Sequence, residues 1–146
     1  MRVVITDGGR AVAGYKSATG GDCVARSIAI VTGLPYAAVY NRLAMETGNQ
    51  HRSKRTGKRG YTAHEGINTG RKWFKDYMRE LGFVWTPTMA IGSGCTVHLR
   101  ASELPPGRLI VSIRKHYTVV VDGVIHDTYD PARGGSRCVY GYWSKP

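Results

Sequence analysis

The pair Asp122-Gly123 constrains this chain more than any other stretch. Aspartate followed by glycine readily takes the two left-handed conformations of a tight hairpin turn, whose twist matches that of the strands it joins. The flanking runs, residues 116–121 and 124–129, are rich in β-branched and aromatic side chains, as strands require. A two-residue turn leaves the register no freedom: Val121 faces Val124, Val119 faces His126, Thr118 faces Asp127 and His116 faces Tyr129. Side chains alternate along a strand, so His116, Thr118, Asp127 and Tyr129 share one face and His126 projects from the other. Asp127 is then the diagonal neighbour of His116, within hydrogen-bond reach in a normally twisted sheet. A carboxylate in that place holds the imidazole in one tautomer and leaves its other nitrogen free as a base. Asp130, just before Pro131, reaches His116 only if a bulge interrupts the strand.

A second stretch supplies a partner for that base. Gly20 and Gly21 allow a turn, Asp22 is a good N-cap, and Val24, Ile28 and Val31 follow at helical spacing. Cys23 then stands in the first turn of a buried helix, where unpaired N–H groups and the positive end of the helix dipole favour a thiolate. Gly33 is the natural end of this helix. Pro35 opens a second, with Tyr36, Val39, Tyr40 and Leu43 on one face and Gly48 at its end. Asn68 or Thr69 caps a third, whose stripe of Trp73, Phe74, Tyr77, Met78 and Leu81 is core; Gly82 closes it and Phe83 folds back over it.

The remaining elements read as strands and turns. Residues 2–15 predict a hairpin about Asp7-Gly8-Gly9, and strands are expected at 83–85, 96–99, 108–114 and 138–143, with a helical turn at 102–104. Helices precede antiparallel strands, so the class is α+β, with N-terminal helices packed on one side of a C-terminal antiparallel sheet. The length of 146 residues fits a single domain spanning 1–146.

Composition narrows the partners. Twenty-one Lys and Arg against ten Asp and Glu leave a net charge of +11, which attracts acidic proteins or nucleic acid. Residues 49–60 hold Arg52, Lys54, Arg55, Lys58 and Arg59 with no acid and no apolar side chain. That run predicts a flexible, solvated basic loop and, functionally, a polyanion clamp. No apolar run is long enough to span a bilayer and no signal peptide opens the chain, which points to the cytoplasm and to no membrane partner. Three dispersed cysteines do not resemble a disulfide framework: Cys95 reads as a structural or substrate-loop residue and Cys138 as packing. His64 and Glu65 read as solvated. Cys95 and His98 have a ligand-like spacing, and His126 and Asp127 add donors, but a second close pair is missing, so no metal is expected. No phosphate-binding or dinucleotide loop is present, and no cofactor is called for.

The order of these parts, a cysteine opening an early helix, a histidine on a late strand and an acid on the next, resembles the papain-like cysteine peptidase fold. The likeness is to compact bacterial and phage members of the peptidase C39-like type, and among them to uncharacterised phage proteins. It rests on Gly21-Asp22-Cys23-Val24-Ala25-Arg26 and on residues 115–131, from Lys115-His116-Tyr117-Thr118 through His126-Asp127 to Asp130-Pro131. The resemblance implies a cysteine hydrolase, a peptidase, isopeptidase or amide acyl transferase, acting on a peptide or protein in the host cytoplasm. It makes Cys23 the nucleophile, His116 the general base and then acid, and Asp127 the orienting group, with Asp130 as the alternative because C39-like enzymes carry their acid in an Asp-Pro pair. Papain-like enzymes place a glutamine before the cysteine as oxyanion donor. Here the preceding loop offers Ser17 and Thr19 instead, beside the backbone N–H of Cys23. The competing expectation is a non-catalytic basic module on the same scaffold, binding nucleic acid or an acidic protein through residues 51–60, Arg71, Lys72 and exposed tyrosines.

Overall fold

The computed structural model describes residues 1–15, 22–52, 69–90, 92 and 94–145. Among these the chain is α+β, with three helices, α1 (Cys23–Thr32), α2 (Tyr36–Arg52) and α3 (Lys72–Glu80). Six strands accompany them: β1 (Val3–Ile5), β2 (Val84–Pro87), β3 (Arg108–Ile113), β4 (His116–Val121), β5 (Val124–Asp127) and β6 (Gly141–Lys145). They form one sheet in the order β1-β5-β4-β3-β6-β2.

The central hairpin has the register that its turn demands. Asp122 and Gly123 take φ values of 47° and 81°, and Val121 pairs with Val124, Val120 with Ile125 and Val119 with His126. Four details of the strands differ from expectation. The sheet is mixed rather than wholly antiparallel, because β1 joins β5 in parallel. And residues 7–14 return no second arm: the Asp7 carboxylate accepts the Gly9 and Ala11 N–H groups, a local pairing that competes with a strand ladder. The expected strand at 96–99 is reduced to a single bridge between His98 and Cys138, and the last strand starts at Gly141.

The helices follow their apolar stripes. α1 ends as expected on Gly33 in the left-handed conformation, with its N–H on the Ala29 carbonyl. α3 buries Phe74, Tyr77 and Met78, and Phe83 folds back, its N–H on the Met78 carbonyl. α3 starts at Lys72 after Arg71, not at Asn68 or Thr69. α2 runs through Gly48 to Arg52, since one glycine costs a helix only about 1 kcal/mol. Residues 49–52 of the supposed basic loop are therefore helical. Lys54, Arg55, Lys58 and Arg59, the Arg52 side chain, Ser17, Thr19, His64 and Glu65 lie outside the described residues.

Two apolar layers sandwich the sheet. On one face Ile110, Tyr117, Val119 and Trp143 meet Ile28, Val31, Val39, Leu43, Phe74 and Met78 of the helices. On the other, Leu109, Val111, Ile113, Val120 and Ile125 are covered by Leu99, Leu104, Ala132 and Val139 from connecting segments. The segment preceding β3 and the one preceding β6 are held side by side by Leu99 N–H to the Arg137 carbonyl and Val139 N–H to the Val97 carbonyl. This brings together Cys95 and Cys138, which are disulfide-bonded. The reading of three independent thiols is corrected accordingly: Cys23 is the free one. The pairing was illegible because it depends on two long-range backbone contacts and not on cysteine spacing. No described helix is long and apolar enough to cross a membrane.

Candidate functional site

The site lies where the central hairpin stops being a backbone ladder. The β4–β5 pairing runs from Val121 and Val124 to Val119 and His126. Beyond it, side chains join the strands. Thr118 Oγ1 donates to Asp127 Oδ2 at 2.7 Å, and His116 Nε2 lies 2.7 Å from the same oxygen. The diagonal contact expected from the turn is therefore made. A carboxylate can only accept, so Nε2 carries the hydrogen of this bond and Nδ1 is left for another partner. Tyr129, the predicted facing residue, has its ring centroid 5.3 Å from that of His116.

α1 brings Cys23 to this point. It packs against β4, where Ser27 Oγ donates to the Tyr117 carbonyl at 3.4 Å. Cys23, half-buried in its first turn, lies near enough to His116 for its sulfur to act on the imidazole. By alternation His116 and Asp127 belong to the sheet face of Val120 and Ile125, which connecting segments cover, and not to the face under the helices. The first turn of α1 reaches them because it stands at the open end of the hairpin.

Arg26, one turn further along α1, locks this end. Its side chain is 5% exposed, and its Nη2 donates to Asp127 Oδ1 at 3.1 Å while its Nη1 donates to Asp22 Oδ1 at 2.7 Å. Asp22 occupies the N-cap position without capping: its carboxylate makes no bond to the helix N–H groups. It is fully buried and also accepts from Arg10 Nη1 and Tyr36 Oη, both at 3.0 Å. Gly8, with φ of 68°, lies so close to α1 that a Cβ there would sit 3.0 Å from the Arg26 carbonyl oxygen. The N-terminal turns are thus pressed onto the helix start, and this places Arg10. Burial and the neighbouring Asp22 carboxylate push the Tyr36 phenol up, so it remains a donor. Sequence reading missed Arg26, Arg10 and Tyr36 as a network. The one available signal was the four-residue spacing of Asp22 and Arg26.

Electrostatics within the group run in opposed directions. Burial pushes the Asp127 carboxyl up, but the hydrogen bonds from His116, Thr118 and the Thr128 N–H, with the imidazolium charge, outweigh it and hold Asp127 below the usual carboxylate range. Burial alone would depress His116. The hydrogen bond to Asp127, with that carboxylate's charge and the nearby Cys23 sulfur, overcomes it and raises His116 to about 9.

Asp130 is not brought to His116; it is exposed and accepts the Ala132 N–H at 2.9 Å. His126 faces the other way, opposite Val119 and Val4. His98 is engaged by Glu103 at 3.1 Å and Cys95 by its disulfide, so the ligand-like spacing gathers no site. Among the described residues no group of three His, Cys, Asp or Glu is placed to hold a metal.

Two hollows flank the site. A cleft of about 570 Å³ is lined by His116, Tyr129, Tyr140, Ser136, Cys138 and the cations Arg114, Lys115, Arg133 and Arg137. A smaller one of about 310 Å³ runs over Tyr117, Trp85, Trp143, Thr69 and Ser112, with Lys75 and Arg79 at its edge. Tyr140 lines both. Comparison of the chain with protein-family models, curated proteins and solved structures finds no match.

Proposed function

We propose that the chain is a cysteine hydrolase of papain-like type, acting on a peptide, isopeptide or related amide. The observation that carries this reading is the continuous line Cys23–His116–Asp127 at the start of a helix. Cys23 Sγ attacks the carbonyl carbon, and its proton resides on the His116 imidazole. The imidazolium then gives that proton to the leaving amine as the C–N bond breaks and a thioester forms. Water or another nucleophile, deprotonated by His116, releases the acyl group and regenerates the thiol. Asp127 stays ionised and holds the ring through Nε2, which leaves Nδ1 free for the exchange of a proton with sulfur. The Cys23 N–H, one of the unpaired donors at the start of α1, stabilises the oxyanion. Ser17 or Thr19 is assigned as the second donor on the sequence alone.

The test is alkylation by iodoacetamide at neutral pH. Cys23 is expected to react at least tenfold faster than a free cysteine, and His116→Ala to remove most of that advantage. A Cys23 that reacts like glutathione, or a variant that reacts like wild type, would overturn the proposal.

The second reading, a binding module for an acidic protein or nucleic acid on the same scaffold, is favoured by one observation: the larger cleft contributes four cations and no acid. It predicts salt-sensitive polyanion binding by a chain whose Cys23 has ordinary reactivity.

A further inference from the structure

The cleft beside His116 has an unusual charge arrangement. Arg114 and Lys115 form the turn between β3 and β4, and Arg133 and Arg137 face them from the segment before β6. Arg137 Nη2 donates to the Arg114 carbonyl at 3.0 Å, which ties the two walls together. The Cys95–Cys138 disulfide anchors the second wall next to Arg137. Asp22, Glu46, Asp76, Glu80 and Glu103 pair with cations outside the cleft, and Asp127 pairs with Arg26 and with His116 of the cleft wall. Among the described residues no ion pair engages the four cations of the cleft. Two of them, Lys115 and Arg133, sit at φ of 55° and 50°, a conformation that glycine or asparagine takes more easily.

Four like charges around one concavity repel one another and favour an anion between them. Guanidinium groups pair with carboxylates through two parallel hydrogen bonds. The volume of about 570 Å³ suits a few side chains and not the long tracked backbone of a nucleic-acid strand. His116 forms part of the wall, so whatever binds there lies next to the bond that Cys23 would attack. We propose that this cleft is a specificity subsite for an acidic polypeptide segment, with Arg133 and Arg137 receiving Asp or Glu carboxylates beside the reacting amide. What happens to the bound segment rests on the hydrolase reading; the binding does not.

The experiment uses the full chain carrying Cys23→Ala and measures fluorescence anisotropy with a labelled peptide of alternating Glu and Gly. A twin peptide with Gln for Glu and an oligonucleotide of equal charge are run beside it. The Glu peptide is expected to bind at least tenfold tighter than the Gln twin, with affinity falling as salt rises. The double variant Arg133→Gln/Arg137→Gln is expected to lose about tenfold, with an unchanged circular-dichroism melt showing that it is folded. The basic residues at 52–59 are the same in both proteins, so the difference reads the cleft alone. Equal binding of the two peptides, or equal binding by the double variant, would overturn the subsite. An oligonucleotide that binds more tightly than the Glu peptide and loses more in the double variant would overturn the choice of a polypeptide. Failure of the hydrolase reading shows separately, as ordinary Cys23 alkylation in the wild-type chain.

Discussion

At His116, burial and charge pull against each other. The ring is 9% exposed, which disfavours an imidazolium, yet Asp127 at 2.7 Å and the Cys23 sulfur raise it to about 9. The group therefore keeps its proton through neutral pH and loses it as pH rises through about 9. Two consequences follow from the sign. The acid needed by a leaving amine is available below that value, so under the proposed hydrolase function activity is expected to decline on the alkaline side near pH 9. The raised value also stabilises the folded state: the contribution is complete below the unfolded value of about 6.5 and disappears as pH climbs through about 9. NMR titration of the His116 ring is expected to give a midpoint near 9, falling in Cys23→Ser, because the sulfur's contribution is gone. A midpoint near 6.5 in the wild type, or one that ignores Cys23→Ser, would show that the sulfur and the imidazole do not act on each other.

At the scale of elements, α1 does two tasks through one turn: it presents Cys23 and it sends Arg26 between two buried carboxylates. Taking a guanidinium and two carboxylates out of water is costly, and only their mutual pairing offsets it. Removing the cation alone leaves Asp22 to Arg10 and Tyr36, and Asp127 to His116, Thr118 and the Thr128 N–H, each short of one buried charged partner. Arg26→Met is expected to cost on the order of 3–5 kcal/mol in urea unfolding and to slow Cys23 alkylation, since Asp127 loses its charged partner on Oδ1 and keeps only the Thr128 backbone there. Loss of less than about 1 kcal/mol with unchanged alkylation would show that Arg26 is neither a structural tie nor a positioning residue.

For the molecule as a whole, the sheet separates a helical layer from a layer of connecting segments, and the candidate site lies at its end. The Cys95–Cys138 bond closes a sequence separation of 43 residues and holds the second layer against β3. Limiting the unfolded chain in this way stabilises by about 2–4 kcal/mol. Reduction, or Cys95→Ser, is expected to lower the unfolding free energy by that amount, to bring the denaturation midpoint down with it, and to loosen the cleft wall that carries Arg137. A midpoint insensitive to reductant would show that the bond contributes nothing to the fold.

The sequence by itself determined the elements that local chemistry controls. Asp122-Gly123 imposed the hairpin register, and with it the diagonal of His116 and Asp127. Gly33 and the apolar stripes set α1 and α3. Each of these depends on φ preferences or side-chain periodicity over a few residues. Tertiary structure alone decided the rest: β1 adding to β5 in parallel, the disulfide, the turn of Asp22 away from its cap toward Arg10, and Arg26 bridging to Asp127. It also decided that Cys23 and His116 meet. Those contacts join segments far apart in the chain, and their partners are chosen by how the helices settle on the sheet, which no local pattern encodes.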